Sequence, residues 1–232
     1  MTYESARSEI IRCAKGVERA LRDLDAWDKA KQESVMNQLV LDRQSEVRAN
    51  LTPFPSWPVV DEWLAEVRRP AQSRKRVLAL VGPSRTGKTE FIRGLFPIGS
   101  LLELNCANCK SVCLTNFKWS QHKAILWDEA SPTLVAENRK VFQHPACWVD
   151  MGHSPTGQHL FRVFLNDACS IIATNSWESQ LEEMSEEDRD WLAANVVVFK
   201  VTRPLWEGPH LEETPAAIEL LTPDISDFQD VD

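Results

Sequence analysis

The chain has 232 residues, 43% hydrophobic and 26% charged, with a formal net charge of −8. That length allows one core of about 130 residues plus a smaller appended unit. No apolar run approaches the roughly 20 residues needed to span a bilayer, and residues 1–7 lack a signal-peptide pattern, so an intracellular protein with no membrane partner is expected. The acidity is uneven. Residues 207–232 hold eight acidic residues and no Lys or Arg, whereas residues 1–206 balance at 26 acidic against 26 basic. The tail reads as an acidic, mobile segment. A neutral remainder is compatible with a local basic strip but does not predict one.

Residues 1–50 read as a helical unit. Ile10, Ala14, Val17, Leu21 and Leu24 step by four and three, and Met36, Val40 and Val47 continue a weaker stripe on a second helix. Such a stripe serves equally to pack on a core or to seat one subunit on the next. Residues 51–75 form a connector punctuated by Pro53, Pro55 and Pro58, followed by a short helix near 59–67.

Residues 76–81, Arg-Val-Leu-Ala-Leu-Val, read as a buried strand. Gly82-Pro83-Ser84-Arg85-Thr86-Gly87-Lys88-Thr89 then fits the pattern G-x-x-x-x-G-K-[ST] at every fixed position. Residues 90–95 open a helix. Strand, glycine loop and helix in that order is the context a phosphate-binding loop requires. Gly82 and Gly87 permit sharp turns and close backbone approach. The N–H groups of residues 85–89 are expected to form an anion nest. Lys88 supplies a point cation to the β- and γ-phosphates, and the Thr89 hydroxyl a ligand for Mg²⁺. The bland alternative is a glycine turn that binds nothing; the downstream residues weigh against it.

Cys106, Cys109 and Cys113 are closely spaced. Zinc needs four ligands, and a second close pair is missing. His122, His144 or Cys147 would have to complete the set after folding, and reduced thiols are the plainer reading.

Residues 124–129, Ala-Ile-Leu-Trp-Asp-Glu, are an apolar strand ending in two carboxylates. Asp128 suits a Mg²⁺ ligand and Glu129 a general base for an attacking water. Alone, the pair also fits an ordinary acidic strand-to-loop junction. Trp127 is placed close to the nucleotide by the same reading. Two β-like runs within residues 148–163 flank a Ser-Pro-Thr-Gly turn, which fits a hairpin. A third core strand, residues 170–174, ends at Asn175, a polar tip suited to sensing a γ-phosphate, or simply a turn residue.

At these residues the chain resembles the superfamily 3 helicase domain of replication-initiator (Rep) proteins from CRESS-DNA viruses: geminiviruses, circoviruses and their integrated relatives in protist and algal genomes. Gly-Pro-Ser-Arg-Thr-Gly-Lys-Thr is similar to that group's Walker A, Trp127-Asp128-Glu129 to its Walker B, Thr174-Asn175 to its motif C, and residues 191–199 with Pro204-Leu205-Trp206 to its last core strand. The likeness covers residues 76–206. It implies an α/β P-loop NTPase of AAA+-like type with a mainly parallel sheet, binding ATP and Mg²⁺ and acting as a hexameric ring on single-stranded or forked DNA. Residues 1–50 would then be an oligomerisation unit. The hairpin would be a DNA finger, but with His153, Ser154, Thr156 and His159 where the family places a lysine. The His-x-His pair and nucleophilic tyrosine of the Rep nuclease are absent: none of the five histidines is so spaced, and the single tyrosine is Tyr3. At the family's arginine-finger position stand Ala193, Ala194 and Asn195; Arg189 and Arg203 are the substitute trans cations. Two alternatives stay open: an AAA+-like remodeller of proteins, and a catalytically weak Rep remnant that binds nucleotide and regulates an intact ring.

Overall fold

The computed structural model describes residues 3–13, 16–50, 53–69, 74–109, 111–114, 116–153, 160–165 and 167–209. The chain divides into two compact units, one ending at Leu51 and the other starting at Thr52. In the first, α1 (Tyr3–Cys13) and α2 (Val17–Asn50) are helices in contact with each other. Gly16, at φ +113°, lies in a backbone region that side chains disfavour and marks the break between them. Part of the stripe read from sequence is open to solvent: Leu21, Met36 and Val40 are each more than half exposed, whereas Ile10 and Leu24 are half-buried.

The second unit begins with α3 (Pro58–Val67), whose Val60, Trp63, Leu64 and Val67 are buried at three-and-four spacing. Next come β1 (Val77–Val81), α4 (Lys88–Gly94), β2 (Leu101–Asn105) and β3 (Ala124–Asp128). The short helices α5 (Pro132–Glu137) and α6 (Arg139–Phe142) follow. A hairpin of β4 (Cys147–His153) and β5 (Leu160–Leu165) precedes β6 (Cys169–Thr174), α7 (Trp177–Leu181), α8 (Glu186–Asn195), β7 (Val196–Lys200) and a 3-10 turn at Leu205–Glu207. Ser131 and Ser185 cap α5 and α8 by accepting from the N–H groups of Leu134 and Asp188.

Five strands form one sheet in the order β2-β3-β6-β1-β7, every pairing parallel. β1 and β6 are buried along their whole length. That matches their unbroken apolar sequences and the rule that parallel sheets are covered on both faces. Residues on each strand alternate between two cores. Val77, Ala79, Val81, Ile125, Trp127 and Ile172 join one, with α5, α6 and the hairpin. Leu78, Leu80, Leu126, Ile171 and Ala173 join the other, with α3 and α4. The chain is an α/β P-loop NTPase fold with a central parallel sheet.

The first of these cores contains a buried polar chain. Trp127 Nε1–H donates to Ser170 Oγ at 2.9 Å, and Ser170 Oγ lies 2.8 Å from His144 Nε2. Burial, with Lys75 as a lesser cause, lowers the His144 pKa from 6.5 to about 3. The sign follows directly. Between pH 6.5 and 3 the unfolded chain binds a proton here that the folded chain does not, so stability falls as pH drops. The expected loss between pH 7 and pH 5 is about 2 kcal/mol at the limiting slope of ~1.4 kcal/mol per unit. Urea unfolding at the two pH values checks it. His144→Gln, which cannot titrate, should flatten the dependence; an unchanged slope would remove His144 as its source.

Candidate active site

β1 delivers the chain to Gly82, whose N–H donates to Thr174 O at 3.2 Å. A Cβ at Gly82 would lie 2.1 Å from Val201 O, so the loop passes against the segment leaving β7 with no room for a side chain. Gly87 opens α4 at φ +84°, and Arg85 is also left-handed at +65°. Two bonds brace the arch. Thr86 Oγ1 donates to Pro83 O at 3.0 Å, and Leu205 N donates to Thr86 O at 2.9 Å.

Lys88 is buried, and its Nζ donates to Gly82 O (2.7 Å), Pro83 O (2.8 Å) and Asn175 Oδ1 (2.9 Å). Asn175 Nδ2 in turn donates to Glu129 Oε1 (2.8 Å) and Ser84 Oγ (3.1 Å). A continuous chain therefore runs from the lysine through one amide to the acidic pair. Sheet order explains it. β6 lies between β1 and β3, with Val81 beside Thr174 and Asp128 beside Ala173. The tip of β6 thus falls midway between the glycine loop and the carboxylates.

Simple strand alternation would send Asp128 and Glu129 to opposite faces. Glu129 instead takes φ +58°, with its N–H held by Ala173 O at 2.7 Å. The left-handed residue turns the chain, and both carboxylates enter the same cleft. That cleft, of about 260 Å³, is lined by residues 84–90 with Asp128, Glu129 and Asn175. Trp127 takes the other direction. It is 1% exposed in the opposite core, so the expectation that it lies near a nucleotide is corrected by the alternation of β3.

In the cleft, burial outweighs the nearby opposite charges. Burial lowers the Lys88 pKa against the opposing pull of Glu129 and Asp128. Burial, then the neighbouring Glu129 carboxylate, raises that of Asp128, with Arg93 opposing. Arg93 on α4 donates to both oxygens of Glu103 on β2, at 2.9 and 2.5 Å, and is driven further towards the charged form by that pairing. Nothing in the local sequence announced this cross-link, because it forms only once β2 is beside β3.

The remaining candidates are dispersed. Arg189 is exposed on α8. Arg203 is folded inward with its guanidinium 5.6 Å from the Trp57 ring centre. That stacking places it against its own chain, not extended towards a neighbour as the trans-cation reading had it. His153 ends β4 opposite Leu160; Ser154, Thr156 and His159 lie outside the described residues. In the hairpin stem Arg162 pairs with Asp150 at 2.6 Å. Cys106, Cys109 and Cys113 are in no disulfide, the first buried and the others exposed. Burial pushes the Cys106 thiol up to about 12. Of the side chains suggested to complete a zinc set, His122 accepts from Lys118 N and His144 bonds Ser170. Among the described residues no group of three or more His, Cys, Asp or Glu is arranged to hold a metal, and no helix is long and apolar enough to cross a membrane. Residues 210–232, most of the acidic tail, also lie outside the described residues.

No protein-family model matches the chain, and no curated protein does. Among solved structures it is similar to the apo NrS-1 C-terminal region, at 17% identity and TM-score 0.42, over 67% of this chain and 36% of that one. It is similar also to NtrX from Brucella abortus in complex with ADP, at 18% identity and TM-score 0.39, over 87% and 50%. A third is the Hsp104–ADP complex of S. cerevisiae, at 13% identity and TM-score 0.35, over 61% and 32%. The chain spans 32% to 50% of the length of these structures. None of these likenesses reaches a TM-score of 0.5, and none bears on the Rep relationship that the motif order implies.

Proposed function

We propose that this chain hydrolyses ATP with Mg²⁺ and, as a superfamily 3 Rep-type helicase, uses the energy to move on single-stranded or forked DNA as a hexameric ring. The observation that carries the hydrolase reading is the Lys88–Asn175–Glu129 hydrogen-bond chain across one cleft. Burial disfavours the charged forms of Lys88 and Asp128 more than their charged neighbours in the cleft favour them; a triphosphate beside the lysine and a divalent ion beside the carboxylate would shift both balances towards the charged forms. Oxygen donors such as the Thr89 hydroxyl and the Asp128 carboxylate suit Mg²⁺, which would supply charge neutralisation at the β- and γ-phosphates. The chain's own residues do the rest. The amides of residues 85–89 and Lys88 hold the phosphates. Glu129 accepts a proton from the attacking water. Asn175, bonded to both Lys88 and Glu129, registers whether a γ-phosphate separates them. Arg189, exposed on α8, is the cation offered to a neighbouring subunit.

A second reading, an AAA+-like remodeller with a protein partner, is favoured by one observation: the hairpin-stem cation Arg162 is already neutralised by Asp150. One experiment separates the readings. ATP turnover is measured against protein concentration with and without single-stranded DNA, and particle mass is recorded under the same conditions. The ring helicase gives turnover that rises with concentration and is stimulated by DNA, with particles near six times the 26.4 kDa monomer. Turnover indifferent to DNA supports the remodeller. Tight nucleotide binding with no hydrolysis at any concentration supports the regulatory remnant.

A further inference from the structure

We infer that Trp206, with Phe54 beside it, is the stacking platform for the base of the bound nucleotide. The inference rests on the nucleotide-binding reading above and adds a second, base-recognising half to the site.

Both rings converge on the last glycine of the loop. A Cβ at Gly87 would lie 3.1 Å from Trp206 Cε3 and Cζ3, and 3.5 Å from Phe54 Cε1. Phe54 is half-buried and set edge-on against Phe91 of α4, with ring centres 5.5 Å apart. Trp206 is 52% exposed. A large indole that keeps half its surface in water while its backbone is pinned on both sides needs an explanation. The pinning comes from Leu205, whose N–H donates to Thr86 O at 2.9 Å and whose carbonyl accepts from the buried Trp57 Nε1–H at 3.2 Å. Gly208, at φ +77°, closes the turn against Pro55, which would lie 3.1 Å from a Cβ there. The proline connector and the turn after β7 thus clamp one another and hold Trp206 against the loop.

The direction of the ligand follows from the sheet. Asp128, Glu129 and Asn175 lie at or just past the ends of β3 and β6, on one side of β1; β7, from which the chain runs on to Trp206, is on the other. The terminal phosphate belongs with Lys88, Asn175 and Glu129. A nucleoside triphosphate is a single extended chain, so its base must leave the loop away from those groups. On that other side, Trp206 is the exposed ring that the structure places against the loop. Its position is fixed before binding, so stacking costs little ordering entropy. A π-face accepts any nucleobase, with alanine substitution of such rings weakening binding by about 10-fold or more.

The test compares ATP with inorganic tripolyphosphate, which has the phosphates and no base, by calorimetric titration of the full chain in magnesium. Wild type should bind ATP more tightly than tripolyphosphate. Trp206→Ala should weaken ATP by about 10-fold and leave tripolyphosphate within about twofold, while Trp206→Phe should restore most of the ATP affinity. Parallel weakening of both ligands would overturn the inference, because Trp206 would then only brace Gly87. Equal wild-type affinity for the two would overturn it too, while leaving phosphate binding intact. Binding of neither ligand by a folded wild-type protein would sink the nucleotide reading itself.

Discussion

Lys88→Ala is expected to lower ATP turnover by about 10³-fold, the scale seen when a preorganised charge aimed at a developing negative group is removed. The lysine is the cation whose ammonium sits on both the glycine loop and Asn175, through bonds of 2.7, 2.8 and 2.9 Å. Its removal should also weaken nucleotide binding, because among the described residues that line the cleft the other cation is the exposed Arg85. Stability should move little. The substitution breaks three hydrogen bonds of ~1 kcal/mol each, but it also removes an ammonium whose burial opposes its charge, as the lowered pKa indicates. The measurement is steady-state phosphate release alongside a thermal melt. A variant that melts like wild type and hydrolyses ATP as fast would refute the site. A variant that fails to fold is replaced by Lys88→Met, which keeps the alkyl stem in place.

The phosphate loop was legible because its chemistry is local: eight consecutive residues specify a turn, a nest and a cation. The strands at 76–81, 124–128 and 170–174 were legible because parallel strands buried on both faces must be apolar throughout. Three features were not. Which strand neighbours which is a long-range fact, and only the insertion of β6 between β1 and β3 makes Asn175 the link between Lys88 and Glu129. That Asp128 and Glu129 both reach the cleft fits the expectation for a strand end, but the means, a left-handed turn at Glu129, was announced by no glycine or asparagine. The places of Trp127 and Trp206 likewise depend on strand alternation and pairing. The first is adjacent in sequence to Asp128 but faces the opposite core. The second is over a hundred residues from the loop and packs against its last glycine because β7 pairs with β1. The N-terminal segment is helical as its periodicity suggested, but the break falls at Gly16, so Leu21 and Leu24 share one helix with Met36, Val40 and Val47; periodicity cannot say what will cover such a stripe.

Glu129→Gln should separate binding from chemistry more cleanly than any loop substitution. Glutamine keeps an oxygen to accept from Asn175 Nδ2, the 2.8 Å bond that ties the acidic pair to the sensor amide, so the cleft should keep its shape. It cannot take a proton from water at neutral pH, and the loss of a general base costs about 10²–10⁴ in rate. Nucleotide affinity should be unchanged or improved, since one negative charge facing the terminal phosphate is gone. A second readout follows from the carboxylate pair. Glu129 is, after burial, the next cause raising the Asp128 pKa. Asp128 must be ionised to attract a divalent ion, so magnesium-dependent binding weakens as pH falls through that raised pKa. Replacing Glu129 by the neutral amide removes part of the rise, and the acid limb of binding should move to lower pH. Single-turnover hydrolysis and nucleotide titration across pH 4 to 7 test both claims together. Hydrolysis at the wild-type rate would remove Glu129 as the base. An acid limb that stayed in place would mean that the two carboxylates do not share the cleft in solution.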